Sequence, residues 1–439
     1  MNFKAPAQQW VVRYLRVLSK PAFPRMASAW VFSSAGQPLE LHTGIPLPAP
    51  TTWSLLPGEV LLRLDASCVC GSDLHTFSGK RSDPAAPLVL GHEGMGTVVA
   101  SAHEGAPVGS ALTWALAAPQ CALRGGGEAC EACSAACALP QKCACVLKYG
   151  HAPWPRTPAP APRELAEGLS GCFASHVLLR AGTVLVPLAR ALAAGVPASA
   201  LASVNCAGGT ALACWRAAQR HLEAATRGTR ASGRPSASRV LIFGAGLLGL
   251  YLAAAARRDA GEGATVCVVD VSEARLALAA AFGATHCVRT LPGAGSEAVG
   301  AALAAALPAG AGGGGGFDAA FEVCGQADVV TPALRALRAG GALVLAGMVH
   351  PASALAGVTG EAIIRKCAAV VGVHNYEGAD LEEAVDLLLH LHASGALPEG
   401  TWGRLFSPAQ ALGDLPAAMA LAGSGEWARV VLAPTGSSA

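Results

Sequence analysis

The stretch Val240-Leu241-Ile242-Phe243-Gly244-Ala245-Gly246-Leu247-Leu248-Gly249 joins a short apolar run to three closely spaced glycines. A G-x-G-x-x-G pattern between a strand and a helix is the dinucleotide fingerprint, because its glycines allow a tight turn and a close approach of the pyrophosphate to the helix N-terminus. Asp270 ends the next apolar run and can accept hydrogen bonds from the adenosine ribose. Its carboxylate would repel a 2′-phosphate, so the sequence predicts NAD rather than NADP. The competing interpretation is a glycine-rich turn that serves packing alone.

Apolar runs of strand length alternate with helical segments after about Ala200, which predicts an α/β fold with a doubly wound parallel sheet. Ser272 is placed to cap a helix that stops at Gly283. We assign 204–375 to a Rossmann NAD-binding domain, interrupted by a flexible glycine–alanine tract that ends at Gly316. The tail is too short to fold alone, so we expect 376–439 to return to the first domain of the chain, which precedes the Rossmann domain.

The preceding part of the chain has a different pattern. Val60-Leu61-Leu62-Arg63-Leu64-Asp65 alternates as a half-buried strand does, and it runs into a polar loop at Cys70. Short strands and turns follow as far as Pro187, with a proline-rich segment from His151 to Gly168. We therefore expect 30–203 to form an all-β domain that holds the Cys70 loop at a strand end.

A thiol, two imidazoles and two carboxylates lie in Cys70-Gly71-Ser72-Asp73-Leu74-His75 and Gly91-His92-Glu93-Gly94-Met95-Gly96, in a chain of which only 14% is charged. Zinc accepts cysteine sulfur and histidine nitrogen, and a catalytic zinc site takes three protein ligands and leaves one position open. Cys70 and His92 are candidates for two ligands, and Cys206, just before the dinucleotide fold, is a candidate for the third. The alternative is that each is an ordinary core residue.

Six cysteines are concentrated in a lobe at 119–145. A Cys-x2-Cys pair within it has the spacing of a zinc-binding turn, and four thiolates would form a closed, structural site. The alternative is a lobe that binds no metal. The candidate ligands are Cys130, Cys133 and Cys143, with Cys121 or Cys137 as the fourth.

Composition narrows the possible partners. The chain has 439 residues and a net charge of +2, and its basic residues form no stripe, so we expect no nucleic-acid partner. The most apolar run, Leu247 to Ala256, is far too short to cross a bilayer, so we expect no membrane partner. The 15 cysteines are clustered or lie singly in apolar runs, which favours metal binding and reduced thiols inside a cell.

Residues 1–29 have the composition of an organelle transit peptide. No acidic residue precedes Glu40, and Arg13, Arg16 and Lys20 share one helical face. We expect mitochondrial targeting, with the plastid and the cytoplasm as alternatives. The competing interpretation is a disordered extension.

Together these motifs resemble the zinc-dependent medium-chain dehydrogenases of the alcohol dehydrogenase superfamily, from about Trp30 to the end. The resemblance implies a GroES-like β-rich catalytic domain, a Rossmann domain, Zn²⁺ and NAD. It places Glu93 beside the metal, makes Asp73 the group that orients His92, and routes the substrate proton through Ser72, the cofactor ribose and His75. The implied cofactor contacts are Thr210, Arg275 and Arg429, in addition to Gly244, Gly246, Leu248, Gly249 and Asp270.

The structural lobe departs from the family pattern Cys-x2-Cys-x2-Cys-x7-Cys, because eight residues separate Cys121 from Cys130. That departure puts the geometry of the lobe in doubt, but not the fold. Three segments look like the alcohol dehydrogenase subgroup associated with phosphonate catabolism. They are Leu139-Pro140-Gln141-Lys142-Cys143, Leu147-Lys148-Tyr149-Gly150-His151 and Gly372-Val373-His374-Asn375-Tyr376.

The resemblance predicts hydride transfer between an alcohol, such as a polyol or a hydroxyalkylphosphonate, and NAD, at a site between two domains. One alternative is a zinc-free quinone or enoyl reductase of the same fold, but such enzymes lack the Cys/His ligands. Another is a non-catalytic protein that binds NAD and zinc, which would have no use for Ser72 and His75. Relatives form dimers or tetramers, so we expect a homo-oligomer.

Overall fold

The computed structural model describes residues 26–49, 52–121, 130–134, 139–225, 238–306, 316–349, 353–355, 357–395 and 397–434. Residues 1–25 of the predicted transit peptide, Cys137 and most of the glycine–alanine tract lie outside these ranges. The chain divides into two compact units, of which the first comprises Met1–Asn205 with Trp402–Ala439 and the second comprises Cys206–Thr401.

The first unit is built mainly from short strands. Two 3₁₀ turns, Glu131–Cys133 and Pro140–Lys142, lie in its cysteine-rich lobe. The strands before Asn205 are β1 (Met26–Phe32), β2 (Glu40–Pro46), β3 (Val60–Val69), β4 (Leu88–Val89), β5 (Glu93–Ser101), β6 (Ala111–Trp114), β7 (Ala117–Ala118), β8 (Leu147–Lys148), β9 (His176–Leu179) and β10 (Leu185–Pro187). The helices are α1 (Gly71–Phe77), α2 (Pro162–Glu167), α3 (Ala189–Ala193) and α4 (Ala198–Ser203).

The second unit is a six-stranded parallel sheet with helices between its strands. Its strands are β11 (Arg239–Phe243), β12 (Thr265–Asp270), β13 (His286–Arg289), β14 (Phe317–Glu322), β15 (Leu337–Leu345) and β16 (Ala369–Gly372). Its helices are α5 (Gly209–Ala225), α6 (Leu247–Ala260), α7 (Glu273–Ala281), α8 (Ser296–Ala306), α9 (Val330–Ala336), α10 (Gly360–Lys366) and α11 (Gly378–Ala393). The strand order β13-β12-β11-β14-β15-β16 is the 3-2-1-4-5-6 order of dinucleotide-binding sheets, so the predicted Rossmann fold is confirmed.

Helix α11 corrects the predicted end of the second domain. We expected 376–439 to return to the first domain, but α11 packs on α5 within the second unit, and the chain leaves that unit after Thr401. The physical reason is the apolar stripe of α11, where Leu381, Ala384 and Leu388 recur at helical spacing and are buried.

The segment after Thr401 completes the first unit. Its elements are α12 (Thr401–Leu405), β17 (Gln410–Ala411), α13 (Leu415–Ser424) and β18 (Val430–Ala433). β18 pairs with β3 in antiparallel register, with Val430 opposite Val69, so Arg429 comes close to Cys70. None of the helices in the described part of the chain has both the length and the apolar character that crossing a bilayer requires.

β3 is the centre of the first unit, because β5, β9 and β18 all pair with it. The full order of this sheet is β10-β6-β5-β3-β18-β17, and a smaller sheet has the order β2-β1-β4. β1 begins at Met26 rather than Trp30, because Ala27 and Ala29 are buried and pair with β2. The last four residues of the predicted 1–29 segment therefore belong to the folded unit.

The buried carboxylate of Glu59, just before β3, is bonded to helix α2 and to the residue after β9. Glu59 is 2% exposed and receives two hydrogen bonds from Arg163, at 2.6 and 2.7 Å, and a third from Arg180, at 3.0 Å. Burial alone would raise the pKa of Glu59, but these arginines and the Leu56 backbone N–H lower it below its ordinary value. The charged form of Glu59 therefore stabilises the folded state.

Candidate active site

Asp73 joins the two halves of the predicted metal centre. Cys70 follows β3 directly and precedes α1, and its backbone N–H donates to Asp73 Oδ2 at 2.9 Å. The backbone N–H of Gly91, 18 residues further on, donates to Asp73 Oδ1 at 3.2 Å. Asp73 is fully buried, so these bonds fix the Cys70 loop and the start of β5 relative to each other.

His92 lies between Asp73 and Ser72. Its Nδ1 is 3.2 Å from Asp73 Oδ1, and its Nε2 is 3.3 Å from the Ser72 hydroxyl. Burial would lower the pKa of His92, but the neighbouring Asp73 carboxylate and the Cys70 sulfur raise it well above its ordinary value. A carboxylate at Nδ1 leaves Nε2 as the nitrogen that can bind a metal.

The side chain of Asn205, the residue before Cys206, is bonded to the backbone around His92. Its Oδ1 accepts from the backbone N–H of Gly94 at 3.3 Å, and its Nδ2 donates to the His92 carbonyl at 3.1 Å. Both residues lie in a π-helical turn, Val204–Gly208, between α4 and α5. Such turns often occur at functional sites. Here the turn places Cys206 next to a residue that is bonded to the backbone around His92.

The structure brings the three predicted ligands together. One donor atom from each of Cys70, His92, Glu93 and Cys206 lies within 4.8 Å of all the others. Two thiols and one imidazole are a known ligand set of catalytic zinc, and the orientation of His92 by Asp73 is the usual support for such a ligand. The donor set therefore fits a zinc ion, with Glu93 as an adjacent carboxylate.

Glu93 is fully buried and paired with Arg429. The guanidinium donates two hydrogen bonds to the Glu93 carboxylate, at 2.7 and 2.8 Å, and its Nη2 is 3.6 Å from the Cys70 sulfur. Burial raises the pKa of Glu93 to about 7, and the Cys70 sulfur adds to this effect, while Arg429 opposes it. Arg429 is thus held at the metal centre, and its expected contact with the cofactor stays a prediction.

The two predicted relay residues lie on α1, three positions apart. Ser72 is half-buried and reaches His92, whereas His75 is exposed. Residues at this spacing share one face of a helix. Helix α1 therefore carries one predicted relay residue beside His92 and the other at the surface.

The cysteine-rich lobe forms a second cluster. Among the described cysteines of the lobe, the sulfur atoms of Cys121, Cys130, Cys133 and Cys143 lie within 4.8 Å of one another, so Cys121 joins the three other candidate ligands. Burial would raise the pKa of Cys143, but N–H donors that include the Cys145 backbone amide lower it to about 6. Four thiols with a thiolate-stabilising backbone fit a closed zinc site.

The dinucleotide fingerprint lies in the second unit. Gly244 has φ +114°, a conformation that L side chains rarely adopt, and a Cβ on Gly249 would overlap the Gly244 carbonyl oxygen. A Cβ on Gly246 would meet open space, which is where a pyrophosphate can approach. Asp270, at the end of β12, accepts from the backbone N–H groups of Ala245 and Ser272 at 2.7 and 2.8 Å.

The remaining predicted cofactor residues lie in the same unit. Leu248 is half-buried in the first turn of α6, Thr210 is half-buried at the start of α5, and Arg275 is half-buried in the first turn of α7. Ser272 accepts from the backbone N–H of Arg275 at 3.4 Å, as expected of a helix cap.

Sequence reasoning missed several contacts of the first unit. The only sequence signal for a role of Asn205 was its position next to the candidate ligand Cys206. Nothing in the sequence indicated that Asp83 and Arg81 both contact His151, whose ring centroid is 6.0 Å from that of His92.

Two family models match separate regions of the chain. The model for the alcohol dehydrogenase GroES-like domain matches residues 56–190, and the model for the zinc-binding dehydrogenase matches residues 248–390. With the fold and the two thiol clusters, these matches define a zinc-type medium-chain dehydrogenase. The first matched region is thus similar to a GroES-like domain, and the second to a zinc-binding dehydrogenase domain.

Individual relatives match only short parts of the chain. Alcohol dehydrogenase 2 of Caenorhabditis elegans is 37% identical over 83 residues, which is 19% of this chain and 22% of the relative. D-arabitol-phosphate dehydrogenase of Enterococcus avium is 49% identical over 41 residues, 9% of this chain and 12% of the relative. The matches thus span about a fifth or less of these relatives.

Structural similarity extends over almost the whole chain. The crystal structure of an alcohol dehydrogenase from Thermotoga maritima superposes with a TM-score of 0.72 and 24% sequence identity, covering 93% of this chain and 99% of that chain. At this identity the similarity establishes the fold.

Proposed function

We propose that the protein is a zinc-dependent, NAD-linked alcohol dehydrogenase that transfers hydride between an alcohol and NAD. The observation that carries the proposal is the convergence of Cys70, His92 and Cys206, with Ser72 in contact with His92. A purely structural zinc site would be closed by four protein ligands and would need no hydroxyl beside it.

Each residue around this centre has a separate role in the proposed reaction. A zinc ion bound by Cys70, His92 and Cys206 supplies a Lewis acid for the substrate oxygen. Ser72 is placed to accept the hydroxyl proton at Oγ, and the exposed His75 to pass it to solvent. Asp73 keeps the His92 ring in one orientation. NAD supplies the hydride acceptor, and the fold positions it.

The preference for NAD rests on Asp270. Its carboxylate lies at the end of β12, where it would meet the adenosine ribose, and a cofactor 2′-phosphate there would face a negative charge. We expect Asp270→Ala to raise the Michaelis constant for NAD and to improve the relative use of NADP. An unchanged cofactor preference would contradict this assignment.

Substitution of a predicted ligand tests the function. We expect Cys70→Ala to abolish turnover of an alcohol panel and to remove one zinc ion per chain, while NAD binding measured by calorimetry persists. Cys267→Ala, which truncates a buried thiol of β12, serves as the control and should keep its zinc. Wild-type turnover by Cys70→Ala would refute the proposal.

The same measurements separate the alternatives. Active protein without zinc would favour a zinc-free reductase of the same fold. Protein that binds zinc and NAD but turns over no alcohol in the panel would favour a non-catalytic role.

We further propose a homo-oligomer and mitochondrial import, with the plastid and the cytoplasm as the alternatives. β16 is an edge strand of the described sheet, with Val370 38% exposed, and α10 beside it has Ile364 75% exposed. An exposed sheet edge with apolar neighbours can pair with a second copy. Light scattering would give the mass in solution. Imaging of a fusion with and without residues 1–25 would test the import and would leave β1 intact.

A further inference from the structure

The carboxyl end of β14 lies at the point where the strand order of the second sheet reverses. β12 and β13 lie on one side of β11, and β14, β15 and β16 lie on the other side. A dinucleotide binds across the crevice outside the strand ends at such a point, with one nucleotide on each half of the sheet. Asp270 and the fingerprint at Gly244 belong to the β11–β12 half. The β14–β15 half is therefore the one that would receive the nicotinamide nucleotide.

Glu322, the last residue of β14, is fully buried at this edge. One oxygen of its carboxylate, Oε1, accepts from the backbone N–H groups of Cys324 at 2.9 Å and Gly325 at 2.5 Å. The other oxygen, Oε2, accepts from the backbone N–H of Gly347 at 3.1 Å. Since Gly347 lies two residues after β15, a single carboxylate holds the segments that follow two neighbouring strands.

These two segments pack against each other and against the fingerprint turn. A Cβ on Gly347 would lie 2.5 Å from the Gly325 nitrogen and 2.7 Å from Glu322 Oε1, so this position has no room for a side chain. A Cβ on Gly244 would meet the Cys324 Cβ at 3.0 Å, and Cys324 itself is exposed. The buried carboxylate thus lies behind a surface that borders the fingerprint turn.

The charge of Glu322 has a cost that a positioning role explains. Burial of an ionised carboxylate is unfavourable unless its oxygens are hydrogen-bonded. Bonds from backbone N–H groups to a carboxylate are shorter than bonds to a neutral acceptor and about twice as strong. Such bonds hold the two segments in one arrangement before the cofactor binds, so that less conformational freedom is lost on binding.

We propose that Glu322 is a positioning residue for the nicotinamide half of NAD. Its carboxylate holds 323–325 and 346–347 in the arrangement that receives this half, and it acts through these segments rather than by touching the cofactor. The inference rests on the proposed use of NAD. It adds a residue of the β14–β15 half to the fingerprint and to Asp270, which serve the adenosine half.

Glu322→Gln tests the two halves of the cofactor separately. The substitution keeps the shape of the side chain but turns one oxygen into an NH₂ group, which cannot accept from a backbone N–H. Calorimetry of the zinc-loaded protein compares NAD with 5′-AMP, which carries only the adenosine half. We expect the dissociation constant for NAD to rise about tenfold or more, because a buried donor loses its acceptor, while the constant for 5′-AMP stays within about twofold.

Gly347→Ala tests the same segments without removing the carboxylate. Its Cβ would displace the backbone around Gly325, so we expect the same selective loss of NAD affinity. This variant decides the question if Glu322→Gln does not fold.

Asp318→Asn is the matched control, because Asp318 lies near the amino end of the same strand and is 8% exposed. It also accepts from backbone N–H groups, those of Ser238 at 3.0 Å and Arg239 at 2.9 Å. We expect Asp318→Asn to lower the urea midpoint as Glu322→Gln does, and to leave both dissociation constants unchanged.

The outcomes separate this inference from the proposed function. Equal losses of NAD and 5′-AMP affinity in Glu322→Gln would overturn the inference, because they would indicate general damage to the domain. A selective loss of NAD affinity in Asp318→Asn would overturn it too.

Turnover decides the remaining cases. Selective losses in Glu322→Gln and Gly347→Ala, in a protein that turns over no alcohol, would support the inference and refute the dehydrogenase. Turnover of 1-propanol with NAD, together with wild-type NAD affinity in both variants, would refute the inference alone. A wild-type protein that binds no NAD would refute both.

Discussion

Replacement of Asp73 by Asn tests how the metal centre is held together. The fully buried carboxylate accepts one backbone N–H at each oxygen, from Cys70 at 2.9 Å and from Gly91 at 3.2 Å, and it faces His92 Nδ1 at 3.2 Å. An Asn side chain is nearly isosteric but has one acceptor oxygen and one NH₂ group. In Asp73→Asn, at least one of the three neighbours therefore meets a donor where it had an acceptor.

The size of the effect follows from these contacts. A buried donor left without an acceptor costs about 1–3 kcal/mol, so we expect the metal-free variant to unfold with a free energy about 2 kcal/mol below that of the wild type. Loss of an outer group that orients a ligating histidine typically weakens metal binding about 10–100-fold. We expect a loss of zinc affinity in this range only at the site of Cys70, His92 and Cys206. The four-thiol cluster of the lobe does not include Asp73, so its zinc affinity should not change.

The assay is competition for zinc with a chromophoric chelator, combined with urea unfolding of the metal-free protein. Asp65→Asn is the matched control, since Asp65 lies in β3 and its carboxylate pairs with Arg63 at 2.8 Å. Wild-type zinc affinity in Asp73→Asn would refute the orienting role. Equal losses in both variants would mean that the effect is general destabilisation.

Three further outcomes follow from the structure. Gly249→Ala should abolish NAD binding in calorimetry, because its Cβ would overlap the Gly244 carbonyl oxygen, while zinc content stays at two ions per chain. Glu59→Gln should lower the unfolding free energy by about 2–3 kcal/mol at pH 7, because it weakens the hydrogen bonds that the charged carboxylate accepts. The pKa of Glu59 is lowered in the folded state, so its stabilisation is lost as pH falls, and the difference should shrink below about pH 4 in urea titrations. Cys121→Ala should remove one zinc ion by mass spectrometry, whereas Cys145→Ala should keep both, since only the former belongs to the four-thiol cluster.

The sequence was most informative where the chemistry is local. The fingerprint around Gly244 and the alternation of apolar runs predicted the Rossmann sheet, because both depend on neighbours in the chain. The pair Cys70 and His92 could be named as candidate ligands from residue type, and the other motifs, with the resemblance that they carry, favoured the metal over an ordinary core role. Strand boundaries were less predictable, as β1 shows by starting at Met26, since burial by a distant strand decided them.

Sequence patterns could not predict the contacts between distant parts of the chain. Arg429 is 336 positions from Glu93, and only the pairing of β18 with β3 brings them together. Cys121 is the fourth thiol of the lobe despite its unusual spacing. The 3₁₀ turns Glu131–Cys133 and Pro140–Lys142 gather the other thiols, so spacing alone could not decide between Cys121 and Cys137.

The distribution of buried polar groups is itself an argument for a functional centre. Asp73, His92, Glu93 and Asn205 are all buried, and each lies at or within three residues of a predicted ligand. Burying such groups is unfavourable unless they are bonded, and replacing a buried ion pair by apolar residues is often neutral or stabilising. Glu93 and Arg429 are therefore poor candidates for a purely stabilising pair. The Glu93 carboxylate and the Arg429 guanidinium lie beside the Cys70 sulfur, where they would set the electrostatic surroundings of a metal bound by Cys70, His92 and Cys206.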